Sequence, residues 1–157
     1  MKLSLIQVGK TDEKFLREGL SLYYSRIRKM VPFEVVTVAE GKKARSKPEP
    51  VLKKEESEAI SEMFRQGDVI MMLDEKGEQM TSREFASLIQ KTMNSGPKRI
   101  VFIIGGAWGV SDELRGRVNR IISLSGMTFP HQLVRLLFAE QLYRALTIIR
   151  GTPYHHD

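Results

Sequence analysis

The sequence predicts an α/β fold with a mainly parallel sheet, formed by a single domain over residues 1–157. Short apolar runs rich in β-branched residues alternate along the chain with longer amphipathic segments, which is the pattern of strands joined by crossover helices. No repeat, low-complexity tract or Pro/Gly/Ser-rich linker divides the chain. A length of 157 residues is also typical of one domain with its own core.

The strands and helices follow one another in a regular order. We expect strand 3–8, helix 13–30, strand 33–38, helix 51–66, strand 68–73, helix 82–93, strand 99–104 and helix 131–150. Thr11 or Asp12 can cap the first helix and Pro32 ends it, while Thr81 or Ser82 can cap the third. In the first helix one side is expected to be apolar: Phe15, Leu16, Leu20, Tyr23 and Ile27. A short apolar run at 121–122 precedes the loop that leads into the last helix.

The last helix is apolar on nearly every side. Its apolar residues are Leu133, Val134, Leu136, Leu137, Phe138, Leu142, Tyr143, Leu146, Ile148 and Ile149. Such a helix must be buried on more than one face, and in a domain of this size a sheet can cover only one of them. A second copy of the chain is the expected cover, so the sequence predicts a homodimer. Gly151 and Pro153 end the helix in the usual manner.

Composition and charge limit the possible functions. The formal net charge is +6, and residues 98–150 hold eight Lys or Arg against three Asp or Glu, which predicts a polyanionic partner such as RNA. The absence of cysteine excludes disulfides, thiolate nucleophiles and cysteine-ligated zinc. No apolar run approaches the ~18 residues of a membrane span and the start is too short in its apolar part for a signal peptide, so we expect a soluble, cytoplasmic protein without membrane contact.

Two turns predict a ligand site. The strand at 99–104 runs into Gly105 and Gly106, where the missing Cβ lets a ligand approach the main chain, and the loop 124–130 leads into a helix at His131. Ligands of open α/β sheets bind at the carboxyl ends of the strands, where Leu73 is also expected. A site of main-chain groups suits a nucleoside better than a hydrolytic triad. A Walker A motif and the G-x-G-x-x-G fingerprint are both missing, so kinase-like and dinucleotide-binding functions are less favoured.

Several ordered motifs carry a resemblance over the whole chain. They are Met1-Lys2-Leu3 with Val8-Gly9-Lys10, Ile104-Gly105-Gly106 with Gly109, the run 122–135 (ISLSGMTFPHQLVR), Glu140-Gln141-Leu142-Tyr143-Arg144-Ala145, and Pro153-Tyr154-His155-His156. With them the chain resembles the bacterial large-subunit ribosomal RNA pseudouridine-N3 methyltransferases, minimal members of the SPOUT class. The resemblance implies a C-terminal trefoil knot, a homodimer and S-adenosylmethionine held in the knot. It implies methylation of N3 of a pseudouridine in 23S rRNA. Free rRNA, a ribosomal subunit and the assembled ribosome all remain open as the substrate, and the lack of a separate RNA-binding domain favours the assembled ribosome.

The resemblance also implies particular site residues. Cofactor contacts fall on Leu73, Gly105, Leu124, Ser125, Gly126, Met127, Thr128 and Phe129. RNA contacts are expected at Arg144, Tyr154, His155 and His156. For Arg144 the alternative is an ordinary i, i+4 ion pair with Glu140, and for the tail it is a frayed terminus. His155 and His156 are adjacent with no third ligand evident, so no metal site is expected.

The reaction requires a base, because N3 of pseudouridine is an imide nitrogen that must lose its proton before it attacks. His131 is the first candidate, since an imidazole pKa of ~6.5 suits proton transfer near neutrality and a helix N-terminus favours its neutral form. A structural role at the helix entry is the alternative for His131. Arg135, one turn further on, can instead stabilise the uracil anion.

Three functions remain open from the sequence: methyl transfer to rRNA, a non-catalytic RNA- or ribosome-binding module on the same fold, and a nucleotide-using enzyme of unrelated chemistry. The loop residues Lys42, Lys43, Arg45 and Lys47 form either a phosphate clamp or a solvated loop. Trp108, between two glycines, is more typical of packing than of stacking on a ligand, and the eight methionines are most simply core gap-fillers.

Overall fold

The computed structural model describes residues 1–41 and 44–157. Its elements in chain order are β1 (Lys2–Val8), α1 (Lys14–Arg28), β2 (Phe33–Val38), a 3₁₀ turn (Ala44–Ser46), α2 (Glu49–Ser61), β3 (Asp68–Gln79), α3 (Ser82–Asn94), β4 (Arg99–Ile104), α4 (Asp112–Arg115), β5 (Arg120–Ser123) and α5 (His131–Arg150). Of the four residues of the predicted phosphate clamp, Lys42 and Lys43 lie outside the described residues, Arg45 lies in the 3₁₀ turn, and Lys47 pairs with Glu55 at 2.6 Å. No helix in the described part of the chain is long and apolar enough to cross a membrane.

The sheet has five strands in the order β2-β1-β4-β3-β5, and every neighbouring pair is parallel. The prediction of a parallel α/β sheet is therefore confirmed. Phe102 in the central strand β4 lies opposite Leu5 of β1 on one side and Met71 of β3 on the other. Because all the strands point the same way, their carboxyl ends meet at one edge, which we call the carboxyl edge.

The helices cover the sheet on two faces. Helices α1, α3 and α5 pack on one face around Phe85, Phe102 and Phe138, with the rings of Phe102 and Phe138 centred 4.9 Å apart. Helices α2 and α4 pack on the other face through Ile60 and Leu114. Burial of these apolar side chains is the main force that holds the layers together.

Helix α5 is buried more on its sheet side than on the other. Its buried apolar residues are Phe138, Ala139, Leu142, Ala145 and Leu146. Val134, Leu136 and Leu137 are only partly buried, so part of the apolar surface of α5 is left without cover within one chain. On α1 the expected apolar side is only partly formed: Leu16, Leu20 and Ile27 are buried, whereas Phe15 is 62% exposed. Phe15 lies about 100° around the helix from Leu16 and so turns away from the sheet.

Strand β3 differs most from its prediction, since it ends at Gln79 rather than at residue 73. After a bulge the chain pairs with β5 a second time, so that Leu73 and Glu78 both lie opposite Ile122. Gly77 permits this pairing, because a Cβ there would stand 2.7 Å from the carbonyl carbon of Ile122 and 2.8 Å from that of Ile121. Helix α2 also differs, spanning Glu49–Ser61 instead of 51–66.

A buried ion pair joins the amino ends of β3 and β4. Arg99 donates to both carboxylate oxygens of Asp68, at 3.0 and 2.6 Å, and to the carbonyl oxygen of Met63 at 2.8 Å. The two side chains are only 6% and 2% exposed. Burial raises the pKa of Asp68, but the hydrogen bonds from Arg99 and from the backbone N–H of Arg65 outweigh it, so the pKa lies below its usual value.

Candidate active site

A cavity of about 820 Å³ opens at the carboxyl edge of the sheet. It is formed by the ends of β3 and β4, the loop 124–130 and the start of α5. Seven of the eight predicted cofactor positions line it: Leu73, Gly105, Leu124, Ser125, Met127, Thr128 and Phe129. Gly126 lies in the same loop, where an added Cβ would stand 2.9 Å from the side-chain Nε2 of Gln79. The cofactor role of these residues stays a prediction.

Short-range hydrogen bonds shape the loop 124–130. The hydroxyl of Ser123 donates to the carbonyl oxygen of Ser125 at 2.8 Å, and the hydroxyl of Ser125 accepts the backbone N–H of Met127 at 3.0 Å. The hydroxyl of Thr128 donates to the carboxylate of Glu75 at 2.5 Å, which ties the loop to β3. Hydroxyl bonds of this kind favour turns over helix or sheet. These side-chain bonds therefore fix the course of the loop along the cavity.

The turn after β4 forms another part of the cavity wall. At Gly105 a Cβ would stand 2.9 Å from a methyl group of Val110, so this position favours glycine on packing grounds. Gly109 has a φ of +79°, which few other residues adopt, and its N–H bonds the carbonyl oxygen of Gly106 at 3.0 Å. Trp108 is 53% exposed at the cavity wall. About half of the Trp108 side chain is thus exposed, so the packing role that its sequence context favoured is at most partial.

His131, the first residue of α5, is half-buried and lines the cavity beside the loop 124–130. Burial lowers the pKa of His131, and the positive charge of Arg135 lowers it further, against a smaller opposing effect of Glu40 and Asp12. The neutral imidazole is thus the favoured form near pH 7, and a neutral ring nitrogen can accept a proton.

Arg135 has a different environment. Its side chain is 0% exposed and is not among the described residues that line the cavity. The guanidinium donates to the carbonyl oxygen of Val8 and, at 2.9 Å, to the hydroxyl of Thr11. Burial lowers the pKa of Arg135. This placement does not favour direct contact with a substrate, and a role for Arg135 in the reaction stays a prediction.

The C-terminal tail folds back onto α5. Arg144 pairs with Glu140 at 2.5 Å, so the intrahelical ion pair is confirmed, and the hydroxyl of Tyr154 donates to the same carboxylate at 3.0 Å. Arg144 also lies 4.9 Å from the ring centre of Tyr154 and 3.1 Å from Nδ1 of His155, while His156 is exposed. The tail is thus packed rather than frayed. None of the four predicted RNA residues is among the described residues that line the cavity.

A second cavity, of about 590 Å³, lies between α1, α3 and α5. It shares Leu124, Ser125 and Phe129 with the first cavity and is otherwise lined by residues such as Tyr23, Phe85, Leu136, Leu137 and Glu140. Sequence reasoning missed it, although the apolar excess on α5 indicated uncovered surface there. In the described part of the chain, no group of three or more acidic or histidine side chains is placed to hold a metal ion.

The fold is an α/β fold with a parallel sheet, and its cavity lies at the carboxyl ends of the strands, between the turn after β4 and the loop 124–130. Residues 1–155 match the family described as predicted SPOUT methyltransferase. The chain therefore belongs to the SPOUT methyltransferase family.

Full-length relatives agree with this assignment. The chain is 47% identical over 156 residues to "Ribosomal RNA large subunit methyltransferase H" of Cytophaga hutchinsonii, covering 99% of this chain and 100% of that protein. It is 41% identical over 157 residues to the protein of the same name from Parabacteroides distasonis, with both chains covered completely.

Solved structures share the fold at low sequence identity. A probable methyltransferase from Bordetella pertussis Tohama I superposes with a TM-score of 0.59 at 16% identity, covering 92% of this chain and 94% of that one. A putative methylase family protein from Neisseria gonorrhoeae superposes with a TM-score of 0.56 at 12% identity, covering 99% of this chain and 86% of that one.

Proposed function

We propose that this chain transfers a methyl group from S-adenosylmethionine to N3 of a pseudouridine in large-subunit rRNA on the assembled ribosome. The observation that carries the proposal is the position of His131, a half-buried imidazole whose neutral form is favoured, beside the loop 124–130 in one cavity. The relatives named as large-subunit rRNA methyltransferases support the choice of acceptor.

The cavity fits a nucleoside cofactor in size and chemistry. Its volume of about 820 Å³ falls within the usual range of small-molecule sites. The cofactor positions combine apolar side chains with the main chain at Gly105. Glycine is favoured at this position of the wall, because a Cβ would stand 2.9 Å from a methyl group of Val110. S-adenosylmethionine, when bound, supplies a methyl group already activated by the positive sulfonium.

The protein then has to hold the acceptor in line and remove its proton. In favourable intramolecular models orientation alone reduces a barrier by ~7–11 kcal/mol. We assign the removal of the N3 proton, the other contribution to lowering the barrier, to His131 as general base. Arg135 acts through its charge, which adds to the larger effect of burial in lowering the pKa of His131, while its guanidinium contacts Val8 and Thr11.

Recognition of the RNA falls to Arg144, Tyr154, His155 and His156 in this proposal. These residues lie along α5 and the tail rather than on the cavity of their own chain, so we assign them to the cavity of the partner in a homodimer. The exposed Phe15 and the second cavity support such a dimer, because they leave apolar surface uncovered in one chain. The proposal also includes the trefoil knot in the C-terminal segment and a cytoplasmic location.

The experiment is methyl transfer from labelled S-adenosylmethionine to unmodified ribosomes, to isolated large subunits and to naked rRNA, followed by mapping of the labelled nucleotide. Label on N3 of a pseudouridine, with ribosomes as the best substrate, is the expected result. Saturable cofactor binding without label on any substrate would move the function to another acceptor or to a non-catalytic module. Absence of cofactor binding even with ribosomes present would overturn the proposal.

The matched variants are His131→Gln and Lys54→Gln. Both replace an ionisable side chain by a neutral amide, but Lys54 is a solvated residue of α2 whose side chain is 72% exposed. The first should lose methyl transfer while it still binds cofactor, and the second should behave as the unchanged protein.

A further inference from the structure

Two large apolar side chains that line the main cavity are exposed. Large apolar residues are exposed at seven described positions: Met1, Phe15, Leu22, Val51, Met63, Trp108 and Met127. Only Trp108 and Met127 among these seven line the cavity, and they are 53% and 74% exposed. Single exposed apolar residues are common, but two that face the same opening from different loops suggest a ligand.

The backbone holds Trp108 in place before any ligand arrives. The turn is closed by the hydrogen bond of 3.0 Å from the Gly109 N–H to the Gly106 carbonyl and by an antiparallel bridge between these two residues. A tryptophan side chain has only two rotatable bonds, so fixing it against a flat ligand costs little entropy. The backbone that carries Trp108 is therefore fixed at the cavity rim, and its aromatic ring is available to a ligand at a small cost in entropy.

We propose that Trp108 is a stacking platform for an unpaired base of the RNA substrate, with Met127 bounding the other side. The identity of the substrate rests on the proposed function. The cofactor's own base is the less suitable occupant, because Ile104 is buried and Gly105 and Leu124 are partly buried, and this less exposed part of the cavity suits a ligand that must be enclosed. Unpaired RNA bases are commonly bound by stacking on aromatic side chains.

The charges of the cavity wall indicate that the affinity for RNA beside Trp108 comes from stacking rather than from attraction of phosphate groups. Basic and acidic residues on the cavity wall balance one another: Lys53, Lys76 and Arg115 against Asp74, Glu75 and Asp112. Arg115 is engaged with Asp74 at 2.5 Å. The contribution of Trp108 should thus be nearly independent of salt, whereas RNA binding as a whole weakens as salt rises.

The kinetic test compares Trp108→Ala, Trp108→Phe and Met63→Ala, the last removing an exposed apolar side chain outside the cavity. Stacking on one base predicts that Trp108→Ala raises KM for ribosomes about 5- to 150-fold. The ratio of the KM for ribosomes in Trp108→Ala to that in the unchanged protein should be the same at low and high salt. The KM for S-adenosylmethionine should not change. Trp108→Phe should restore most of the affinity, and Met63→Ala should match the unchanged protein.

Fluorescence gives a second readout, because Trp108 is the only tryptophan in the chain. A short single-stranded oligouridylate, added with S-adenosylhomocysteine at saturation, should quench the emission. This signal does not depend on methyl transfer, so it tests stacking even if the proposed reaction is wrong. A response to S-adenosylhomocysteine alone, with a raised KM for the cofactor in Trp108→Ala, would overturn the proposal. Unchanged KM values in Trp108→Ala would do so as well.

Discussion

His131 and Arg135 lie one turn apart on α5 but have opposite surroundings. His131 is on the cavity wall, whereas the guanidinium of Arg135 is fully buried against the carbonyl of Val8 and the hydroxyl of Thr11. The positive charge nevertheless acts on the imidazole and disfavours its protonated form. Arg135, one helical turn away, thus lowers the pKa of the candidate base His131.

Replacement of His131 by Gln should lower the rate of methyl transfer by about 10²–10⁴, the usual contribution of a general base. Cofactor affinity should change little, because the glutamine keeps a polar side chain of similar size. Single-turnover transfer at saturating cofactor measures the rate, and equilibrium binding measures the affinity. A loss of less than fivefold would reduce His131 to a positioning role.

Replacement of Arg135 by Met should raise the pKa of His131, since it removes the positive charge that disfavours imidazolium. In the unchanged protein the pKa of His131 lies below the usual histidine value of ~6.5. The imidazole therefore stays neutral, and the enzyme should stay active, at pH values somewhat below that value. In Arg135→Met the loss of methyl-transfer activity on the acid side of the pH–rate profile should begin at a higher pH.

Arg135→Lys is the control for this effect, because it keeps the charge while losing the fork of donors. NMR titration of the His131 ring in each folded variant measures the pKa directly. If Arg135→Met and Arg135→Lys titrate alike, electrostatic coupling between Arg135 and His131 is refuted.

The sequence predicted the parallel sheet and the position of the cavity because apolar strands and glycine turns are local signals. It missed residues 74–79 of β3 because that segment is almost entirely polar, and only contact with β5 makes it a strand. The burial of Arg135 had no local signal either, since its partners Val8 and Thr11 are remote in sequence. The exposure of Trp108 depends on a turn whose direction the sequence does not encode locally.

Replacement of Gly77 by Ala should destabilise the protein strongly, because the added methyl would meet backbone atoms of β5 at 2.7–2.8 Å. Backbone cannot move aside as a flexible side chain can, so we expect a loss of about 3 kcal/mol or more in the free energy of unfolding, the upper part of the range for point mutants. Gly116→Ala is the control, since its nearest neighbour would be 3.5 Å away. Urea unfolding of both variants measures the difference, and equal stabilities would contradict the close packing of β3 on β5.

The ion pair of Arg99 and Asp68 gives the last prediction. Replacing Arg99 by Leu leaves the carboxylate of Asp68, 2% exposed, without its cation, and removing one partner of a buried pair costs about 3–5 kcal/mol. Lys54→Ala breaks an exposed pair with Glu58, 4.0 Å apart, and should cost less than about 1 kcal/mol.

The pH dependence of unfolding separates a charge effect from simple loss of packing. The pKa of Asp68 is lowered in the folded protein, so the pair stabilises the fold above the unfolded pKa of ~3.9 and this contribution is lost as the pH falls through the lower folded value. The deficit of Arg99→Leu should therefore be largest near neutral pH and shrink in acid, where Asp68 becomes protonated. A deficit that stays constant from pH 7 to pH 3 would mean that Arg99 stabilises the sheet through packing of its side chain alone.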